Sequence, residues 1–137
     1  IKNKYLVQKR SKKKNIYFPN MYGLFGGGLN LNEKFLNGIH REIYEELDLK
    51  LNLKKIKNFL TISINSRHFK KSRSRKYYAI KINNKQITSI KLKEGQSFHF
   101  LGINQIKKLN FVPWDLSAIL YFHNYILKKK SVKPRHI

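Results

Sequence analysis

Residues 26–49, GGGLNLNEKFLNGIHREIYEELDL, constrain this chain more than any other stretch. Three consecutive glycines, Gly26, Gly27 and Gly28, precede Glu33, and Arg41, Glu42, Glu45 and Glu46 follow at helical spacing. The chain has seven acidic residues against thirty basic ones, and five of the seven (Glu33, Glu42, Glu45, Glu46 and Asp48) lie within this stretch. Acids this scarce and this concentrated point to chemistry rather than to a solvated face. On a wheel of about 100° per residue, Leu36, Ile39, Ile43 and Leu47 form a narrow apolar seam, and Glu42, Glu45 and Glu46 cluster about 120° away from it. A helix is expected over residues 32–47, with Asn32 as its N-cap and Glu33 in its first turn.

Three ionised carboxylates on adjoining turns repel one another unless a cation joins them. Oxygen donors without cysteine or paired histidine suit a hard ion, Mg²⁺ or Mn²⁺, better than zinc. The alternative is that the glutamates pair with lysines on an exposed face. The glycine run lets backbone approach a ligand closely. It lacks the Lys-Ser/Thr ending of a P-loop and the strand–GxGxxG order of a dinucleotide fold, which excludes both.

The remainder of the chain alternates short β-branched or aromatic runs with helical patterns, which indicates an α/β (α+β) layer structure. Strands are expected at residues 5–9, 22–25, 56–64, 77–82, 87–92 and 97–101, with Asn83-Asn84 as a turn. A short helix is expected at 104–109, a connector at 111–114 and a closing helix at 115–130. With 137 residues and 41% hydrophobic content, one domain over residues 1–130 is expected, followed by a frayed basic tail at 131–137. No run approaches the roughly 18 apolar residues of a membrane span, and no signal-peptide pattern is present. The absence of cysteine excludes disulfides and thiolate metal sites and fits a cytoplasmic protein.

The formal charge of +23 has two readings. It steers polyanions such as nucleotides or RNA, or it reflects a chain in which Lys, Asn and Ile crowd every region. Residues 65–75, NSRHFKKSRSR, are likewise either a phosphate or RNA contact or a solvated hairpin tip. His40, His68, His99, His123 and His136 show no ligand spacing.

The pattern G-x5-E-x7-R-E-U-x-E-E-x-G-U, with U apolar, is met by Gly27, Glu33, Arg41, Glu42, Ile43, Glu45, Glu46 and Leu49. This resembles the Nudix box of diphosphate hydrolases. Asp48 departs from it, standing where the family has glycine, at a position that often needs a left-handed backbone; Asp tolerates one better than most residues. The resemblance continues in residues 5–10, in Tyr22 with Leu24-Phe25-Gly26-Gly27, and in residues 93–96 and 111–115, which look like parts of MutT-like nucleotide hydrolases.

The resemblance implies a Nudix-type α/β/α sandwich with a mixed sheet, whose first strand should precede Ile1. It implies Glu42, Glu45 and Glu46 as Mg²⁺ or Mn²⁺ ligands, Arg41 as the residue orienting a glutamate, and Glu33 as structural. Glu94 is then a further ligand or general base, or else an exposed loop acid. Gly27, Gly28 and Tyr22 would meet the substrate. Asp115 would either accept from a purine edge or simply cap the closing helix. The implied activity is hydrolysis of a nucleoside diphosphate linkage, most plausibly in a (d)NTP or oxidised (d)NTP. RNA 5′ pyrophosphohydrolysis, nucleotide-sugar hydrolysis and a catalytically impaired binding module are the alternatives. The partner is a small nucleotide, or RNA, and not a membrane; oligomeric state stays open.

Overall fold

A computed structural model describes residues 3–65, 67 and 73–128. Much of the basic 65–75 segment (with His68), Lys129 and Lys130 at the expected end of the closing helix, and the 131–137 tail with His136 lie outside the described residues.

Two antiparallel sheets form the framework. In the first, β1 (Tyr5–Lys9) lies between β2 (Tyr22–Gly23) and β5 (Ser97–Leu101), with Tyr5 opposite Leu101 and Gln8 opposite Gly23. An isolated parallel bridge joins Tyr22 to Phe111 outside the strand pairs, while every strand pair among the described residues is antiparallel. In the second, β3 (Lys57–Ile64) pairs with β4 (Arg73–Ala79), with a register shift between Asn58 and Leu60. Helix α1 (Phe35–Leu47), a 3-10 turn (Leu53–Lys55), the short α2 (Asn84–Ser89) and α3 (Ile103–Ile106), and α4 (Pro113–Tyr121) complete the described elements, and a π-helical turn, Phe122–Leu127, prolongs α4. The expected α/β (α+β) class is the class found.

The core gathers Val7, Ile106, Phe111 and Ile119, flanked by Tyr5, Tyr22, Leu24, Leu101, Ile103, Leu109 and Leu116. These come from β1, β2, β5, α3, α4 and the segments beside them, so the two sequence ends of the domain close on one another. The Tyr5 hydroxyl shares a 2.8 Å hydrogen bond with His123 Nδ1, and Phe59 of β3 packs on Phe122 with ring centroids 4.9 Å apart. The second sheet is thereby tied to the closing helix.

Several local expectations are corrected. Helix α1 begins at Phe35, not at Asn32, whose φ is 60°. Lys34 is the N-cap and no acid lies in the first turn. Glu33 instead closes a turn before the helix, its carboxylate accepting from Asn30 N–H at 3.0 Å. The apolar seam is fully buried only at Leu47, and Leu36 is exposed. Residues 87–92 are not a strand: Asn83 and Gln86 form a reciprocal capping box that starts α2, and this local cap outweighs the β-branched composition. Strand β2 is shorter than expected, and β4 begins at Arg73 and ends at Ala79, leaving residues 80–82 outside it. Pro113 takes the first position of α4, where its missing N–H costs nothing, so 113–114 belong to the helix rather than to a connector. Val112 is its N-cap, which removes the capping role from Asp115. No helix among the described residues is long and apolar enough to cross a membrane.

Candidate active site

Arg41 is the centre of the glycine–helix stretch. Its Nε and Nη2 donate to the two oxygens of Glu33, each at 2.9 Å; Nη2 also donates to the Gly28 carbonyl at 2.9 Å, and Nη1 donates to Glu42 at 2.8 Å and to Glu45 at 3.1 Å. All five guanidinium N–H groups are thus engaged. The planar fork matches Glu33 bidentately, which a lysine cannot reproduce. Hydrogen bonds from Arg41 and Asn30 hold the Glu33 carboxyl down to about 2, and the same partnership with Glu33 and Glu42 raises Arg41. Glu33 and Arg41 therefore brace the glycine loop against the helix.

Gly27 makes that bracing sterically feasible. A Cβ there would stand 2.5–2.6 Å from the Glu42 carboxylate, closer than real contacts allow. Gly28 has open space around it and offers its carbonyl to Arg41. Gly26, at φ 136°, turns its N–H onto Glu46 Oε2 at 3.1 Å.

Glu46 is buried on α1, only 6% exposed. Burial pushes its carboxyl up to about 8; the charges of Glu42 and Glu94 add to the rise, while the Gly26 N–H and the Arg10 guanidinium oppose it. Glu45 lies on the outer side, half exposed and bonded to Arg41. Glu94 is exposed, yet its charge is felt at Glu46. Its backbone neighbours explain this: Lys91 and Lys93 donate N–H groups to the carbonyls of Leu47 and Glu46, at 2.9 and 2.8 Å, so the segment before Glu94 docks on the end of α1. Asp48 caps that end in the left-handed region at φ 55°, ψ 31°, with Lys93 Nζ 3.5 Å from its carboxylate. The backbone conformation at the departed glycine position is therefore kept.

Among the described residues, no three acidic or imidazole side chains stand together as a ready-made cage for an ion. Arg41 engages Glu42 and Glu45, and Gly26 engages Glu46. The chemistry of the donor set nevertheless fits a hard cation: the oxygens of Glu42, Glu46 and Glu94 crowd negative charge onto one buried carboxyl, which ionises only with difficulty without a counter-charge.

The expected substrate contacts fall differently. Tyr22 packs against the core, its ring 5.9 Å from His99 and under Lys9 Nζ at 5.7 Å. Asp115, 4% exposed, has both oxygens occupied by the protein. Oδ2 accepts from Leu24 N–H at 3.0 Å, and Oδ1 accepts from the Tyr77 hydroxyl at 2.7 Å and from Arg75 at 3.4 Å. Burial first, and Asp115 second, push the Tyr77 hydroxyl upward. Asp115 is thus a clasp between α4, the β2 exit and β4.

Arg10 escaped the sequence reading, and Arg75, read there only as part of the basic 65–75 segment, reaches Asp115 instead. Arg10, at the end of β1, donates Nε to the Tyr17 carbonyl at 3.0 Å, and burial lowers it while Asp115 and Glu46 act against that. Arg75 lies over the Trp114 ring at 5.7 Å. Both sit in basic runs where one arginine looks like the next; only the alternation Arg75–Tyr77 along β4 marks a shared face.

No family sequence model matches the chain and no curated protein sequence matches it. Its backbone is similar to that of a C. elegans Ap4A hydrolase in a binary complex (TM-score 0.68, 18% identity, 91% of this chain and 87% of that one). It is also similar to a MutT protein from Methanosarcina mazei Go1 (TM-score 0.67, 14% identity, 95% and 86%). The Nudix domain of Shewanella oneidensis NrtR, in complex with ADP ribose, follows at TM-score 0.62 and 18% identity over 94% and 78%. The molecule has the Nudix fold.

Proposed function

We propose that this protein is a hydrolase that cleaves a diphosphate linkage in a nucleoside triphosphate, of which a (d)NTP or oxidised (d)NTP is the simplest form. The observation that carries the reading is the buried Glu46, loaded with the charge of Glu42 and Glu94 beside the Arg41 fork. The fold it shares with an Ap4A hydrolase and with an ADP-ribose-bound Nudix domain supports the choice of a nucleotide.

In this mechanism Glu42, Glu45 and Glu46 would hold Mg²⁺ or Mn²⁺, which would supply neutralisation of the diphosphate charge and acidification of the attacking water. Arg41 keeps Glu42 and Glu45 in place while Glu33 and Gly28 keep Arg41 in place. Gly27 lets the loop lie against Glu42, where backbone and carboxylates face the phosphates together. Water oxygen bonds to phosphorus, the bridging P–O bond breaks with its electrons on the departing phosphate oxygen, and Glu94 at the rim takes the first proton.

A panel of nucleotides with Mg²⁺ tests the reading, comparing wild type with Glu45→Gln and Glu46→Gln. Pyrophosphate or monophosphate release that collapses in both variants supports it. Metal-dependent turnover unchanged by both sinks the assignment.

A further inference from the structure

Phe18 is held in a backbone conformation that its sequence disfavours. Its φ is 51°, in the left-handed region that bulky side chains rarely enter. The next residue is Pro19, and a residue before proline is pushed towards extended backbone instead. Outliers of this kind persist only where the surroundings over-determine them, and they gather at ligand clamps and switches.

The surroundings of Phe18 are polar on either side and aromatic at the ring. Arg10 Nε holds the Tyr17 carbonyl at 3.0 Å. Beyond Pro19, Asn20 N–H donates to the Ser11 carbonyl at 2.8 Å, and Gln96 Nε2 donates to Asn20 Oδ1 at 2.9 Å. Between these two anchors the Phe18 ring meets Trp114, with centroids 4.9 Å apart and planes at 80°. Arg75 lies over the same indole at 5.7 Å. A return of Phe18 to extended backbone would move its ring off Trp114.

Trp114 adjoins the carboxylate site. Its chain neighbour Asp115 accepts from Leu24 N–H at 3.0 Å, and Glu46 accepts from Gly26 N–H at 3.1 Å. Leu24 and Gly26 are two residues apart, a span of at most about 7 Å. Asp115 and Glu46 both act on the charge of Arg10, which clamps the residue before Phe18.

We propose that Phe18 is an internal gate: its ring occupies Trp114 in the resting protein, and the base of an incoming nucleotide displaces it, whereas a base-free polyphosphate does not. The proposal rests on the hydrolase reading for the nature of the ligand. A ligand that needs the open form binds more weakly by the fraction of molecules already open. Phe18 therefore weakens nucleotides selectively.

Trp114 is the only tryptophan of the chain, so its emission reads the gate without any turnover. The whole chain is titrated in Mg²⁺ with α,β-methylene ATP and with methylenediphosphonate, its base-free counterpart. Saturation with the nucleotide analogue is expected to shift Trp114 emission, and saturation with the diphosphonate is not. Phe18→Ala is expected to tighten the nucleotide analogue roughly two- to tenfold, the worth of one aromatic pair, and to leave the diphosphonate unchanged. Pro19→Ala keeps the ring and lifts the restriction on Phe18, so the closed form is favoured and the nucleotide analogue is expected to bind more weakly.

Weaker nucleotide binding in Phe18→Ala would overturn the gate, because the ring would then build the site rather than block it. So would equal changes for both ligands, a Trp114 emission indifferent to the saturating nucleotide analogue, or no saturable binding of that analogue. Circular dichroism checks the fold of both variants. If Phe18→Ala does not fold, Pro19→Ala decides, and unchanged or tighter binding in it overturns the gate. Turnover of nucleoside triphosphates without these shifts overturns the gate but not the hydrolase. The shifts without turnover of any triphosphate support the gate and overturn the hydrolase.

Discussion

The backbone N–H of Gly26 donates to Glu46 Oε2 at 3.1 Å, joining the glycine loop to the one acid of α1 that is buried. That bond and the Arg10 guanidinium oppose burial and the charges of Glu42 and Glu94, yet the carboxyl remains near 8.

Glu46 therefore makes metal-free stability depend on pH. Its folded value lies above the ordinary carboxylate value of 4.5. The stabilising contribution is full below about 4.5 and is lost as pH rises through about 8. Thermal unfolding without divalent cations is expected to show a loss on the order of a few kcal/mol across that window. Glu46→Gln should flatten the dependence; an identical slope in the variant removes Glu46 as its source.

Gly27→Ala places a methyl group where the Glu42 carboxylate already stands. Either the loop or Glu42 must shift, at a cost of about 1–3 kcal/mol. Turnover is expected to fall by roughly a hundredfold, since an ångström of misplacement suffices for that. Gly28→Ala, whose added methyl meets no atom within 4 Å, is the stability control and should unfold like wild type.

Arg41→Lys keeps the charge but loses the fork. Turnover is expected to drop about ten- to a hundredfold with little change in KM, because lysine cannot span Glu33, Glu42, Glu45 and Gly28 together. Glu33 titrates in the acid range: its folded value near 2 is depressed, so its contribution is present above about 4.5 and is lost as pH falls through 2. Acid unfolding of Glu33→Gln should lack that component, and a superimposable acid curve would count against the brace.

Asp115→Asn replaces an acceptor that is filled on both oxygens. One donor must then face the new amide N–H₂, at an expected cost of about 1–3 kcal/mol. The ratio of kcat/KM values for purine and pyrimidine substrates should stay constant, because Asp115 is spent on the fold. A changed ratio would return Asp115 to the substrate.

The site was more legible than the ladder of strands around it. Helical spacing alone puts Glu42, Glu45 and Glu46 within one turn, because a helix repeats every 3.6 residues whatever it packs against. Its start was not legible. Asn32 has the composition of a cap, but the Glu33 carboxylate captures the Asn30 N–H and holds the turn open for two more residues. Residues 87–92 look like a strand to any count of β-branched side chains, while the deciding Asn83–Gln86 pair lies at their edge. The Asp115–Tyr77 bond spans 38 positions; it depends on which way β4 faces after the register shift in β3, and no local pattern records that.

The docking of Lys91 and Lys93 on the carbonyls of Leu47 and Glu46 has a mechanical consequence. The last turn of a helix ordinarily leaves its carbonyls to water, and here they hold the segment that leads to Glu94. An acid nearly fifty residues downstream is leashed to the helix terminus by two backbone bonds. Unwinding that terminus by one turn would release Glu94 and unseat Glu46 together, so the two carboxylates are gained or lost as a unit.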